Sequence, residues 1–123
     1  MIKNIIFVAL GGASGSVLRY IIHWIITKRY STHFPYQTLL VNILGCLCIG
    51  LLMGYFSKYQ NENESLKLLL VTGFCGGFTT FSAFGLENIR MIENQNYQLA
   101  FVYVTLSLLL GVSAVSLGIF ITK

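Results

Sequence analysis

Gly73-Phe74-Cys75-Gly76-Gly77-Phe78-Thr79-Thr80-Phe81-Ser82-Ala83-Phe84 lies near the middle of the apolar run from Leu66 to Ile89. The run is long and apolar enough to cross a bilayer, yet adjacent glycines followed by two β-branched threonines make a poor helix segment. A helix interrupted inside hydrocarbon frees backbone N–H and C=O groups, which must be buried in protein or bind something. The stretch therefore predicts a membrane helix broken at mid-depth. Freed carbonyls suit a hard monovalent cation, and half-helix N-termini suit an anion. A plain kink with glycine packing is the competing account on composition alone.

Working outward, three further apolar runs surround this one: Ile5 to Ile26, Thr38 to Phe56 and Tyr97 to Ile121. The chain has 123 residues, 55% of them hydrophobic and only 10% charged, with a mean hydropathy of +0.74. Four spans of roughly 20 residues each leave little over for ends and connections. The expectation is a single all-α membrane domain over residues 1–123, with spans at about 4–27, 37–57, 66–89 and 97–122. The intervening segments, 28–37, 60–65 and 90–96, are short and polar, so neighbouring helices should be antiparallel. The small residues Gly11 to Gly15 imitate a signal-peptide cleavage region, but hydrophobicity resumes at Val17, which favours an uncleaved first span.

Composition also removes function classes. The net charge is +4, but the basic residues are scattered singly, which argues against nucleic acid. Cys46, Cys48 and Cys75 sit inside apolar runs without metal-ligand spacing and read as small buried hydrophobes. His23, His33 and four Glu form no convergent catalytic set, so an enzyme is not expected. The first acidic residue is Glu62, so the first two spans lack the carboxylate that a proton-coupled exporter needs.

The twelve glycines fall mainly in the spans. Gly11/Gly15, Gly50/Gly54 and Gly73/Gly77 are GxxxG pairs, and Ser107/Gly111 and Ala114/Gly118 share the spacing. Small residues one turn apart let helix backbones touch, which matters where apolar burial between helices gains little. Orientation is less determined. Lys3, Lys58, Lys67 and Lys123 fall on one side and Lys28, Arg29 and Arg90 on the other, almost no bias under the positive-inside rule. A chain without an orientation signal can insert both ways, and two opposed copies can pair about an axis in the membrane plane. The expectation is an antiparallel dual-topology homodimer.

Candidate site residues cluster around the break. Phe78, Phe81 and Phe84 recur every three residues and would share a face in any helical portion. Ring edges are electropositive and could line an anion path without a fixed charge, although such stripes commonly face lipid or core. Asn42 needs a partner in its apolar run, either a helix or a permeating ion, and Thr38 continues its face one turn earlier. Tyr103 and Ser107, also one turn apart, extend a hydroxyl track, although span serines and threonines usually bond their own backbone. Arg19 lies nine residues before Lys28, roughly 13 Å of helix, deep enough to require a cavity or a partner. His23 and Trp24 read as interfacial anchors. Glu87 is a rim residue or a counter-charge to Arg19 or Arg90.

Three segments together resemble the signatures of the Fluc (CrcB) fluoride channels: Gly11-Gly12-Ala13-Ser14-Gly15 with Arg19-Tyr20, Thr38 to Gly45, and Gly73 to Ser82. The resemblance covers nearly the whole chain. It implies a four-helix subunit with a broken third helix, an antiparallel dimer with two fluoride pores, and a central structural sodium ion. It further implies a cell inner (plasma) membrane location and passive efflux of fluoride that entered as hydrogen fluoride. Sodium would be held by the main-chain carbonyls of Gly76 and Thr79 from both subunits. Fluoride would meet Phe81, Phe84 and Asn42, with Ser82, Tyr103, Ser107 and Thr38 along the path. Arg19 and Glu87 match family positions as vestibule or structural charges. Ala83, Gly85 and Gly111 depart from positions where the family commonly carries hydroxyls. The alternatives are a small proton-coupled multidrug exporter and a non-transporting membrane assembly subunit.

Overall fold

The computed structural model describes residues 1–30 and 33–123 and contains only helices among them. Helix α1 runs Ile2–Arg29 and α2 runs Tyr36–Lys58. The third span is divided into α3, residues 64–78, and α4, Phe81–Glu93; α5 runs Tyr97–Thr122. All four spans are apolar and long enough to cross a bilayer, and the chain is a multi-pass membrane protein.

The helices overrun the apolar stretches because polar residues cap and continue the backbone ladder. Glu64 and Ser65, expected in a loop, open α3, since Asn63 Oδ1 accepts the Leu66 N–H at 3.1 Å. Residues 90–93, likewise expected in a loop, complete α4, where Arg90 occupies the last turn and complements the helix dipole. Between Leu68 and Cys75, α3 widens to π-helical turns before returning to a single α turn at Gly76–Phe78.

Packing follows the small residues. Helix α1 lies chiefly on α3, and α2 chiefly on α5. Gly11 and Gly15 press against the α3 backbone: a methyl at Gly15 would overlap the Phe74 carbonyl and come 2.8 Å from the Phe78 nitrogen. Gly73 faces Gly11 in return, at 2.9 Å from a built Cβ to its Cα. Gly50 and Gly118 form the equivalent seam between α2 and α5. These are backbone-to-backbone contacts, the kind that stabilise helices in lipid.

Phe78 does not share the face of Phe81 and Phe84. Phe78 belongs to α3, is buried, and stacks on Phe74 with ring centroids 5.7 Å apart, while Phe81 and Phe84 belong to α4. Two extended residues intervene and reset the helical phase. A compact cluster of Met91, Ala100 and Tyr103, with Phe34, Leu39, Phe84 and Leu99 against it, closes the end of the bundle near the α4–α5 turn.

Gly15→Ala should lower thermal stability in detergent by about 1–3 kcal/mol, the usual cost of forcing a methyl into a tight contact. Gly85→Ala, where nothing lies within 4 Å of the added methyl, should leave stability unchanged or slightly raised.

Candidate functional site at the broken third span

Thr79 and Thr80 adopt extended backbone, with φ −84° and ψ 158° and with φ −147° and ψ 118° respectively. In an uninterrupted α-helix the Thr80 N–H would bond to the Gly76 carbonyl and the Ala83 N–H to the Thr79 carbonyl. Here both donors are diverted. The Thr80 N–H donates to Asn42 Oδ1 at 2.8 Å, and the Ala83 N–H donates to Thr80 Oγ1 at 3.2 Å, capping α4. Asn42 Nδ2 also donates to the Thr80 carbonyl at 3.1 Å. One amide on α2 thus satisfies both backbone groups of Thr80, as a neighbouring strand would. The carbonyls of Gly76 and Thr79 lose the donors that an intact helix would supply.

The flanking carbonyls are occupied. Cys75 accepts the Thr79 N–H at 3.0 Å and the Thr79 hydroxyl at 2.9 Å. Gly77 accepts Arg19 Nε at 3.0 Å and Ser16 Oγ at 3.5 Å. Arg19 is therefore tied to the break, not left unpartnered in hydrocarbon, and its other surroundings are a cavity of about 470 Å³ shared with Ser16, His23 and Gln37. Ser16 escaped the sequence reading. Its only signal is its position next to Gly15 and three residues before Arg19, on the small-residue face of α1.

A groove of about 530 Å³ gathers Asn42, Gly76, Thr79, Phe81, Phe84 and Ser107. It contains no ionisable acid or base other than the thiols of Cys46 and Cys75. Phe81 is 83% exposed, and its ring centroid lies 5.8 Å from that of Phe84. The Ser107 hydroxyl is buried yet has no hydrogen-bond partner among the described residues, departing from the usual bond of a helical serine to its own backbone. Ser82 is not among the groove's lining; its Oγ lies 3.3 Å from Thr80 Oγ1.

Thr38 and Tyr103 turn elsewhere. Thr38 Oγ1 donates to Glu87 Oε1 at 2.5 Å and Tyr103 Oη to Glu87 Oε2 at 3.3 Å. Thr38, one turn before Asn42 on α2, thus bonds to α4 beyond the break while Asn42 bonds at it, and Glu87 takes hydroxyls, not Arg19 or Arg90, as its hydrogen-bond partners. Tyr103 is fully buried and packs on Phe84 with centroids 5.1 Å apart, linking this polar knot to the groove. Trp24 carries Lys28 Nζ 4.0 Å over its ring, an arrangement fitting an interfacial anchor.

The departures noted in the sequence are sterically quiet. Gly85 faces open space, and a methyl on buried Gly111 would sit 3.5 Å from Cys46 Sγ, an ordinary contact. Among the described residues no group of three or more His, Cys, Asp or Glu forms a metal cluster.

Comparison with known proteins places the chain. The family model described as "CrcB-like protein, Camphor Resistance (CrcB)" matches residues 6–119. A protein of Flavobacterium psychrophilum named fluoride-specific ion channel FluC is 48% identical over 121 residues, covering 98% of each chain. One of the same name from Azobacteroides pseudotrichonymphae is 41% identical over 123 residues, all of this chain and 98% of the relative. Another, from Chloroflexus aurantiacus, is 43% identical over 117 residues, covering 95% and 93%.

Removing the amide by Asn42→Ala should cost about 2 kcal/mol or more, because two backbone groups at Thr80 are left unpaired. Ser107→Ala should change stability by less than about 0.5 kcal/mol, since its hydroxyl holds nothing. Thermal unfolding of the detergent-solubilised protein separates the two.

Proposed function

The chain belongs to the CrcB family, and from that premise we propose that it is a fluoride-selective channel giving passive efflux of fluoride from the cytoplasm and hence fluoride resistance. The observation carrying the reading is the groove at the broken span, which offers amide, hydroxyl and ring edges to an ion without a fixed charge. Fluoride is small and strongly hydrated. A pore must replace its water with donors that neither trap it nor accept larger halides. Asn42 retains one N–H beyond its bond to Thr80, and the Ser107 hydroxyl is free to turn. The edges of Phe81 and Phe84 supply weak positive potential. Ser82, Thr38 and Tyr103 complete the polar path, with Arg19 fixing the break and Glu87 holding the two hydroxyls.

The active unit in this reading is an antiparallel dual-topology homodimer with two pores. Near-equal basic residues on the two sides support it, as does the exposure of Phe81, a ring that needs a covering surface to bound a narrow path. The break fits a structural sodium ion. Gly76 and Thr79 carbonyls, deprived of helical donors, would hold it from both subunits, and the ion would supply positive charge to balance converging carbonyl dipoles. A proton-coupled multidrug exporter fits less well, since the first two spans carry no carboxylate. A non-transporting assembly subunit accounts for the glycine seams but not for the broken span.

Purified protein in liposomes should release fluoride to an ion-selective electrode while retaining chloride. Phe81→Ile or Asn42→Asp should abolish most of the flux; equal passage of chloride and fluoride would refute the assignment. Reporter fusions after Lys123 should appear on both sides of the membrane, and replacing sodium by a bulky organic cation should weaken the dimer in size-exclusion runs.

A further inference from the structure

Helix α1 closes on Trp24, Lys28 and Arg29. The Lys28 ammonium lies 4.0 Å over the Trp24 ring, which nevertheless stays 48% exposed, and Lys28 and Arg29 are themselves exposed. Neither basic side chain makes a hydrogen bond or ion pair among the described residues, and no acid precedes Glu62 in the chain. Glu87 and Glu93, on the same side of the membrane, belong to α4, whereas α1 packs chiefly on α3. The basic end between α2 and α3 differs. There Lys67 follows Glu64 by three residues on one helix, and Lys58 adjoins a turn carrying Glu62. The end of α1 thus gathers two adjacent cations away from any local carboxylate.

An exposed apolar line leads back from these cations. Val17, Ile21, Trp24 and Lys28 follow one another at spacings of four, three and four residues, so they share one face, turned away from the glycines that meet α3. Ser16 and Arg19 touch Gly77 at the break, which places Val17 at the depth of the broken span. From Val17 to Lys28 the helix rises about 16 Å. One leaflet of hydrocarbon is about 15 Å deep, half of a bilayer core. The face therefore offers apolar side chains over the depth of an acyl chain, an indole near the interface and cations at the level of a phosphate.

We propose that this face binds an anionic phospholipid, with Lys28 and Arg29 on its headgroup phosphate and Val17, Ile21 and Trp24 along an acyl chain. The indole holds the Lys28 ammonium in place by its ring face, and the charge left open to the surface takes the phosphate. A zwitterionic lipid carries the same phosphate without net charge, so paired cations discriminate between the two, roughly fivefold for each basic residue near the surface. Basic residues in a last turn also complement the helix dipole, but that role is indifferent to the lipid headgroup.

Trp24 is the only tryptophan in the chain, so its fluorescence reports on this face alone. The test reconstitutes the protein in mixed vesicles in which either phosphatidylglycerol or phosphatidylcholine of matched length carries brominated chains. Brominated phosphatidylglycerol should quench Trp24 with at least about a fivefold greater relative affinity. Lys28→Gln with Arg29→Gln should remove the preference. Lys28→Arg, Lys58→Gln with Lys67→Gln, and added inorganic phosphate should each leave it intact. Equal quenching by the two lipids in the wild type would overturn the proposal, whatever the variants do. So would a preference that survives loss of Lys28 and Arg29, or one that disappears with Lys58 and Lys67. Displacement by inorganic phosphate would overturn it in favour of a soluble anion, and quenching by neither lipid would overturn it in favour of a second copy covering the ring.

Discussion

The reciprocal bond between the Asn42 amide and the Thr80 backbone is the interaction on which the rest of the site depends. A membrane-spanning helix cannot simply stop in hydrocarbon, because each unpaired backbone group costs several kcal/mol. Asn42 removes that cost at one residue by accepting from the Thr80 N–H and donating to its carbonyl. Thr80 then caps the second half-helix with its own hydroxyl. The diversion of just these two N–H groups is what releases the carbonyls of Gly76 and Thr79. Breaking the span and freeing those two carbonyls are consequently one structural event.

The remaining architecture serves to hold that break still. Glycines along α1 bring its backbone against α3, so that Arg19 and Ser16 reach the Gly77 carbonyl. Glycines on α2 and α5 bring those helices together, so that Asn42 and Ser107 meet at one groove. Close packing of small residues gives the helices fixed relative positions in a solvent that offers little hydrophobic drive. Deep placement of an arginine becomes affordable for the same reason: its partner is a carbonyl already present at that depth.

Two polar systems meet without mixing their charges. The groove at the break is lined by neutral groups, while the ionisable residues Glu87 and Arg90 lie towards the membrane surface. Glu87 is held by two hydroxyls, which keeps a carboxylate within a helix bundle without a salt bridge.

Much of this was legible in the chain itself. Hydropathy determined four spans, the Gly-Gly-Phe-Thr-Thr stretch located the break, and glycine spacing marked the seams, because each depends on local composition or on one-turn periodicity. The family resemblance pointed to Asn42, Phe81, Phe84 and Ser107, which the fold brings to one groove. Tertiary structure decided the rest. That Asn42 pairs with Thr80, that Thr38 turns to Glu87, and that Phe78 parts from Phe81 all depend on how α2 and α5 sit beside a span whose helical phase is reset at Thr79 and Thr80. Periodicity presumes an unbroken helix, so it gives no direction to side chains beyond a break; only packing against neighbouring helices supplies one.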